Sequence, residues 1–311
     1  MGKPVKPRAR RMGGRMRAEI QSVFDGLAGT GYVADRVIAT TVHLALTLEK
    51  PLLVEGAAGV GKTEIAKALA AWLGLELIRL QCYEGLDVYT SLYEWNYQKQ
   101  LLRIRIEPEG TGVERLEDTI YGPDYLLERP LLRAIRSEER VVLLIDEVDR
   151  ADEEFEAFLL EVLSDFQVTI PELGTLAARS RPVVVLTSNG TRELSDALRR
   201  RCLYLWIDYP DAEKELAILH RRAPGLDERL ARDAVGFVQR LRRARLAKPP
   251  GVAETLDFAA ALETVGAETL DAGVAADALG SLIKDPHDFA ALDEEALARL
   301  LDPDAGSPDE T

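Results

Sequence analysis

A glycine-rich segment in the first quarter of the chain has the residue types that bind phosphate groups. Residues 56–63 read GAAGVGKT and match the pattern G-x-x-x-x-G-K-[ST]; we call them the phosphate loop. Residues 51–55 are typical of a buried strand, and residues 64–75 have helical periodicity. Between a strand and a helix, such glycines let backbone N–H groups surround a phosphate beside the positive end of the helix dipole. This context favours a phosphate site over a chance glycine-rich turn.

The loop supplies most of the candidate nucleotide-binding residues. Lys62 is expected to lie between the β- and γ-phosphates, and the Thr63 hydroxyl is expected to bind Mg²⁺. The candidates are Gly56, Ala57, Ala58, Gly59, Val60, Gly61, Lys62, Thr63, Glu64 and, from a later strand, Asp146.

Two adjacent carboxylates follow a fully apolar run at residues 141–145. Such a run is typical of a strand that is covered on both faces, and its carboxyl end faces the crevice where nucleotides bind. We expect Asp146 to hold Mg²⁺ through water and Glu147 to polarise the water that attacks the γ-phosphate. The alternative is an exposed acidic pair at a strand end, which the apolar run disfavours.

Polar groups also follow the next predicted strand, at residues 182–186. The amide of Asn189 is expected to hydrogen-bond the γ-phosphate or the attacking water. A short helix at residues 194–201 then ends in three consecutive arginines, Arg199, Arg200 and Arg201. A structural or solvated cluster is the alternative interpretation of these arginines.

Composition narrows the possible functions. The chain has 311 residues, a formal net charge of −14 and two cysteines, Cys82 and Cys202. Residues 1–17 contain seven Lys and Arg and no acid, so the rest of the chain is strongly acidic. An acidic body argues against a dedicated nucleic-acid surface. No apolar run is long enough to span a bilayer and no secretory leader is present, so we expect a cytoplasmic protein without a transmembrane segment.

The order of elements predicts an α/β fold with a doubly wound, parallel, five-stranded sheet, followed by a small all-helical lid domain. We expect a basic, disordered arm at residues 1–17 and an ATPase core at residues 18–209. The lid is expected at residues 210–301 and an acidic, disordered tail at residues 302–311. In the second helix, at residues 33–48, Val37, Thr41, Leu44 and Leu48 share one face.

Two insertions interrupt the predicted core. Residues 166–181 are expected to form a hairpin, and residues 83–140 form a longer excursion. Within the excursion, residues 103–107 alternate like a strand and residues 126–137 have a helical pattern. Its aromatic residues indicate a small core of their own or, alternatively, a surface that faces a client or partner. They are Tyr83, Tyr89, Tyr93, Trp95 and Tyr97.

Together these motifs resemble those of the MoxR family of AAA+ ATPases, over roughly residues 20–285. GAAGVGKT corresponds to Walker A, LLIDEVDR to Walker B, and Asn189 to sensor 1. The resemblance implies that an arginine finger stands in the LRRRC segment, with Arg201 first and Arg200 next. It also implies a ring, expected to be a homo-hexamer, that binds ATP and Mg²⁺.

Four segments resemble the CoxD-type members of that family. They are IRLQCYEGLD, YEWNYQKQLL, FEAFLLEVLSDFQVTIPELG and RRRCLYLWIDYP. This resemblance implies an ATP-hydrolysing chaperone that helps mature a client metalloenzyme of the molybdenum hydroxylase or carbon monoxide dehydrogenase type. A von Willebrand A-domain protein is the partner that it implies.

One departure concerns the lid. Family members have Ser-Pro-Arg there, with the arginine as sensor 2, whereas the aligned residues of this chain are Glu254, Thr255 and Leu256. Arg242, Arg243 or Arg245 on the preceding helix are possible substitutes. An ATP-gated scaffold with little turnover therefore stays open as an alternative function. A GTPase is disfavoured because the chain has no N-K-x-D motif, and a small-molecule kinase would not need the arginine cluster, the second insertion and the lid.

Overall fold

The computed structural model describes residues 9–106 and 119–302, apart from the side chains of residues 9–15, 88 and 89. Contacts divide the chain into two compact units. The first unit contains the described residues of Met1–Gly26, Ala34–Glu55 and Thr63–Trp206. The second contains those of Leu27–Val33, Gly56–Lys62 and Ile207–Thr311.

Five strands form one parallel sheet in the order β2-β5-β8-β1-β9. Two further pairs, β3-β4 and β6-β7, are antiparallel. The strands are β1 (Leu52–Gly56), β2 (Leu77–Gln81), β3 (Tyr93–Trp95), β4 (Leu126–Glu128), β5 (Val142–Asp146), β6 (Gln167–Ile170), β7 (Gly174–Ala177), β8 (Val183–Ser188) and β9 (Leu203–Ile207). The predicted fold class is confirmed.

The central strands follow from their sequences. Every residue of β5 and β8 is buried, because both strands lie inside the sheet and consist mainly of Val, Leu and Ile. Residues pair in register from Val142 with Val183 to Ile145 with Leu186. The polar residues that end β5 and β8 therefore lie at one edge of the sheet, where nucleotide sites form in α/β folds.

Fourteen helices are found in the part of the chain that the structure describes. They are α1 (Ala9–Gly29), α2 (Arg36–Leu48), α3 (Lys62–Leu73), α4 (Val88–Leu92), α5 (Tyr97–Ile106), α6 (Pro130–Arg136), α7 (Glu153–Asp165), α8 (Asp196–Arg201), α9 (Ala212–Arg222), α10 (Glu228–Arg243), α11 (Val252–Thr264), α12 (Ala272–Leu282), α13 (Pro286–Ala291) and α14 (Glu294–Leu301).

Many of these helices begin at a side-chain cap that the sequence encodes. Asp residues accept backbone N–H groups at the start of α2, α7, α9, α10, α12, α13 and α14. Each cap satisfies N–H groups that have no partner within the helix. In the second unit, α10, α11 and α12 pack around Phe237 and Phe258, whose ring centroids are 5.8 Å apart.

The excursion at residues 83–140 differs in part from the prediction. Residues 103–107 were expected to form a strand, but Arg103 to Ile106 belong to helix α5. The side chain of Asn96 accepts the N–H of Lys99 and starts this helix, which outweighs the alternating pattern. Likewise, the helix expected at 126–137 is shortened to α6, because Leu126 to Glu128 pair with β3 instead.

The aromatic residues of the excursion form a small core around two members. Tyr93 and Trp95 are buried, with ring centroids 5.9 Å apart, and Trp95 also meets the edge of Tyr121 at 5.4 Å. Tyr83 and Tyr97 are exposed. Tyr97 opens a helix, so it does not share an extended face with Tyr93 and Trp95.

One expectation about the N-terminal region needs correction, and the burial of α2 adds a detail. Residues 9–17 of the expected disordered arm are helical and continue into α1, where Ala, Met and Arg are good helix formers. Residues 1–8 lie outside the described residues, as do residues 303–311 of the expected tail. In α2 the predicted face is the outer one: Val37, Leu44 and Leu48 are exposed, while Ile38, Ala39, Val42 and Ala45 are buried.

Both cysteines are free and buried. Burial raises the pKa of the Cys82 thiol to about 12, with the nearby carboxylate of Asp146 adding to the effect. Burial also raises the pKa of Cys202 to about 12. In the part of the chain that the structure describes, no helix is long and apolar enough to cross a membrane.

Candidate functional site

The phosphate loop folds around its own lysine. The Lys62 ammonium is buried and donates to the backbone carbonyl oxygens of Gly56 at 2.8 Å and Ala57 at 2.6 Å. Gly59 and Gly61 have φ angles of 76° and 93°, which side chains other than glycine rarely adopt. The glycine pattern therefore has a conformational cause, and the lysine lies on the concave side of the loop.

Within the second unit, the loop contacts the first turn of helix α11 through backbone atoms. The Val252 N–H donates to the Gly59 carbonyl at 2.9 Å. A Cβ atom added to Gly251 would lie 2.8 Å from the Gly59 Cα and 3.0 Å from the Ala58 carbonyl oxygen. The Glu254 carboxylate accepts the Gly251 N–H at 2.9 Å and completes the helix cap. Two glycines thus allow the loop and the helix to meet without intervening side chains.

In the first unit, four side-chain hydrogen bonds fix the carboxylate of Asp146, which is almost completely buried. Its Oδ1 accepts from the hydroxyls of Thr63 at 3.0 Å and Thr187 at 2.5 Å. Its Oδ2 accepts from Arg79 twice, from Nε at 3.0 Å and Nη2 at 2.6 Å. The two residues predicted to hold Mg²⁺, Thr63 and Asp146, are therefore in direct contact.

Glu147 follows Asp146 at the carboxyl end of β5 and leaves the strand in a left-handed conformation, with φ of 56°. Its backbone N–H donates to the Thr187 hydroxyl at 2.9 Å, and its Oε2 accepts the Gln81 amide at 3.0 Å. The φ value is uncommon for a residue other than glycine and is typical of functional positions. The carboxylate is half-exposed, as a group that activates water requires.

Asn189 lies directly after β8 and is tied to the Walker B segment through its backbone. Its N–H donates to both carboxylate oxygens of Asp149 at 3.2 Å, and the Thr191 N–H donates to Oδ2 at 3.0 Å. Burial alone would raise the pKa of Asp149, but the hydrogen bonds from Thr191 and Asn189 lower it overall. Asp149 is thus an ionised anchor that sets the position of Asn189.

The three arginines at the end of α8 have different surroundings. Arg199 is half-buried, ion-paired with Glu55 at 3.3 Å and stacked over Tyr204. Arg200 is exposed and lies 3.8 Å from the carboxylate of Asp196 on its own helix. Arg201 is exposed and forms no ion pair with the residues that the structure describes. Arg201 is therefore the member whose charge is most available to another molecule.

The arginines proposed as substitutes for sensor 2 include one with a clear structural role. Arg242 is buried and pairs through two nitrogens with the buried carboxylate of Glu215, at 2.5 and 2.7 Å. It also donates to the Pro250 carbonyl at 2.7 Å and to the Thr255 hydroxyl at 3.1 Å. Because these contacts all lie within the helical unit, Arg242 holds that unit together.

Sequence reasoning missed four residues that hold the predicted ones in place: Arg79, Gln81, Asp149 and Thr187. A signal for two of them exists, because Arg79 and Gln81 alternate on the exposed face of β2, opposite the end of β5. Thr187 lies in the TSN segment, where only the asparagine was singled out. Asp149 lies in the LLIDEVDR segment, but its role could not be inferred there because it depends on contacts with residues about 40 positions away.

The donor set fits a magnesium ion. A hydroxyl and a carboxylate oxygen are ligands that Mg²⁺ accepts directly or through water, and its remaining positions are normally taken by phosphate oxygens and water. Among residues 9–106 and 119–302, no three His, Cys, Asp or Glu side chains converge on a metal ion by themselves. The residues present therefore suit a metal that arrives with a phosphate group.

Comparisons with known proteins agree with this geometry. Residues 51–202 match the family model described as AAA domain (dynein-related subfamily). An uncharacterized protein of Staphylococcus epidermidis is 24% identical over 216 residues, which cover 67% of this chain and 74% of that protein. Chaperone protein ClpB of Tropheryma whipplei is 30% identical over 181 residues, covering 57% of this chain and 23% of ClpB.

Two further matches add little about function. The uncharacterized protein YojN of Bacillus subtilis is 27% identical over 220 residues, covering 68% of this chain and 66% of YojN. Among solved structures, a mutant of Thermotoga maritima RuvB is 18% identical with a TM-score of 0.49, covering 85% of this chain and 73% of that chain. Residues 51–202 thus resemble an AAA domain, and they contain four of the five strands of the parallel sheet in full.

Proposed function

Taking the AAA+ domain at residues 51–202 as the premise, we propose that this chain is a magnesium-dependent ATPase that acts as a ring. One observation carries the proposal. The Thr63 hydroxyl from the phosphate loop lies 3.0 Å from the carboxylate of Asp146, with Glu147 next in the chain. A hydroxyl and a carboxylate for the metal, beside a half-exposed second carboxylate, are the parts that phosphoryl transfer to water requires.

Each residue has a chemical task in this proposal. Lys62 and the loop N–H groups bind the phosphates, and Thr63 and Asp146 hold the metal. Glu147 positions and polarises the attacking water, and Asn189 orients that water or the γ-phosphate. When bound, magnesium would neutralise negative charge that develops on the phosphate oxygens. Glu64, the next residue of α3, lies in the first turn after the loop.

The three arginines at the end of α8 support the proposed ring, because an arginine finger is supplied by a neighbouring subunit. An arginine finger stabilises charge in the transition state of phosphoryl transfer. Arg199 and Arg200 each have an acidic neighbour within 4.0 Å, whereas Arg201 has none among the residues described. We therefore assign the finger to Arg201, which a neighbouring subunit would insert in trans, with Arg200 as the next candidate. We expect the ring to be a hexamer.

The proposed task of the ring is to remodel a protein client. Four segments that resemble CoxD-type MoxR proteins, quoted above, support this task, and so does the similarity to ClpB, which is named a chaperone protein. The proposed client is a metalloenzyme of the molybdenum hydroxylase type, with a von Willebrand A-domain protein as partner. Copurification of such a pair with the chain, dependent on ATP, would test this assignment.

The ATPase itself is tested by measuring phosphate release with two variants. Lys62→Ala should abolish ATP binding, because Lys62 contacts phosphate charge in the ground state. Glu147→Gln should leave binding intact and stop turnover, because it acts mainly in the transition state. Lys67→Ala and Glu161→Gln, at exposed positions of α3 and α7, are the matched controls. Equal loss of ATP affinity in both site variants, measured by calorimetry, would contradict these roles.

A second candidate is a scaffold that ATP switches but that hardly turns ATP over. It is favoured by the absence of arginine at residues 254–256, where Glu254 instead caps its own helix. The turnover rate of the unmodified chain separates the two functions. If phosphate release in the wild type equals that of Glu147→Gln while ATP still binds, the scaffold is the correct function.

A further inference from the structure

Arg79 contacts the carboxylate proposed to bind the metal, although no role of its own was predicted for it from the sequence. It stands on the exposed face of β2, and its guanidinium donates from Nε and Nη2 to Asp146 Oδ2 at 3.0 and 2.6 Å. Its side chain is 51% exposed, whereas that of Asp146 is 3% exposed. The arginine therefore supplies charge from the solvent side to a carboxylate whose burial is costly without a partner.

The two oxygens of Asp146 face different partners. Oδ1 accepts from Thr63 and Thr187, and Oδ2 accepts from Arg79. Donors on both sides fix the rotation of the carboxylate, so that Oδ1 stays directed toward the Thr63 hydroxyl. Loss of the Arg79 donors would leave Oδ2 without side-chain partners among the described residues and release this rotation.

Arg79 also links Asp146 to Glu147. Its Nη2 donates to the Gln81 Oε1, and the Gln81 Nε2 donates to the Glu147 Oε2 at 3.0 Å. A continuous chain of hydrogen bonds thus runs from the metal-binding carboxylate through Arg79 and Gln81 to the carboxylate proposed to polarise water. The guanidinium makes these contacts from two nitrogens in a fixed plane, whereas a lysine ammonium is a single donor centre without that fork.

We propose that Arg79 is a positioning residue that couples the metal site to the water-activating carboxylate. The inference rests on the proposed ATPase function. In this role Arg79 acts through Asp146 on metal binding and through Gln81 on Glu147. Partners in this outer position typically change metal affinity or activity by about 10–100-fold when removed.

The test measures the effect of magnesium on ADP affinity and the value of kcat. Loss of an arginine that only stabilises the fold would not lower both. Calorimetry gives the affinity for ADP with and without MgCl₂, and phosphate release gives kcat. In Arg79→Ala, the gain in ADP affinity from magnesium should fall by about tenfold and kcat should fall at least as far. The affinity for ADP without magnesium should stay unchanged. Arg79→Lys should recover the magnesium effect, because it keeps a charge near Asp146, but not kcat.

Arg133→Ala is the matched control, because Arg133 is an exposed arginine paired with Glu76 just before β2. If Arg79→Ala equals this control in the magnesium effect and in kcat, the inference is wrong. Full recovery of kcat in Arg79→Lys would show that the planar fork is unimportant, and this result would also overturn the inference. That comparison remains valid even if Arg79→Ala fails to fold. A wild type that binds no ADP would overturn the proposed function and the coupling with it.

Discussion

The hydroxyl of Thr187 bridges Asp146 and Glu147, donating to the Asp146 Oδ1 at 2.5 Å and accepting the Glu147 N–H at 2.9 Å. One short side chain on β8 thus serves the two consecutive carboxylates that end β5. Because Thr187 is buried, neither contact can be replaced by bulk water.

We expect Thr187→Val to lower the free energy of unfolding by about 1–3 kcal/mol, because two buried polar groups each lose a partner. Valine keeps the shape of threonine, so a cavity does not explain the loss. Thr187→Ser retains the hydroxyl and should lose less. Urea unfolding of the three proteins measures the effect, and equal stability of the valine variant and wild type would contradict it.

The lowered pKa of Asp149 predicts a dependence of stability on pH. The group ionises more readily in the folded state than at its ordinary pKa of 3.8, so its stabilising contribution is complete above that value. The contribution is lost as pH falls below 3.8, through the folded-state pKa. The difference in unfolding free energy between wild type and Asp149→Asn should therefore shrink between pH 6 and pH 3.

Urea unfolding at both pH values measures that difference, with Asp165→Asn, at an exposed position of α7, as the control. A difference that stays constant or grows toward low pH would show that the ionised form of Asp149 is not the stabilising one.

The assignment of Arg201 as a finger predicts complementation between subunits. Arg201→Ala should lose about 10³–10⁵-fold in ATPase rate when assayed alone, far more than a surface ion pair could account for. Mixing it with Glu147→Gln subunits should restore activity, because their intact Arg201 can reach the neighbouring site. Phosphate release from the mixture is the measurement.

Arg200→Ala is the comparison, since Arg200 lies near Asp196 and should matter less. If the mixture stays inactive although gel filtration shows mixed rings, Arg201 does not act in trans. The finger would then be reassigned to Arg200.

The contact between the phosphate loop and α11 predicts a cost for any side chain at Gly251. Its φ of −83° suits alanine, so the crowding of the added Cβ against Gly59, Ala58 and the Glu254 carboxylate should decide the effect. Gly251→Ala should lower the free energy of unfolding by about 1–3 kcal/mol, as overpacking does, and weaken ATP binding.

Gly280→Ala is the control: nothing lies within 4 Å of its added Cβ, and it should stabilise α12 by about 0.5–1 kcal/mol. Thermal melts and ATP calorimetry measure both, and an unchanged Gly251→Ala would contradict the crowding.

The parts of the fold that the sequence predicted are those where local pattern and burial agree. The runs that became β5 and β8 are apolar throughout, and both strands are buried along their whole length. The phosphate loop was identified because its glycines meet a local backbone requirement. Such features depend on residues that are close together in the chain, so they can be predicted from the local sequence alone.

The failures occurred where a helix cap or a contact distant in sequence outweighs the local pattern of side chains. The alternation at residues 103–107 resembles a strand, but the Asn96 cap selects a helix. In α2, the face that carries Val37, Leu44 and Leu48 is exposed, and Val42 and its neighbours are buried instead. Arg79 escaped notice because its partner, Asp146, is 67 residues away.

The buried thiols of Cys82 and Cys202 have a practical consequence for fluorescence tests of the proposed ring. A thiol with a pKa near 12 is almost entirely protonated at neutral pH, and maleimide dyes react with the thiolate. A cysteine introduced at an exposed position such as Glu161 should therefore take up the dye selectively, with both native cysteines retained. Energy transfer between labelled copies of the chain would then test whether they assemble as proposed and whether ATP changes the distance between them.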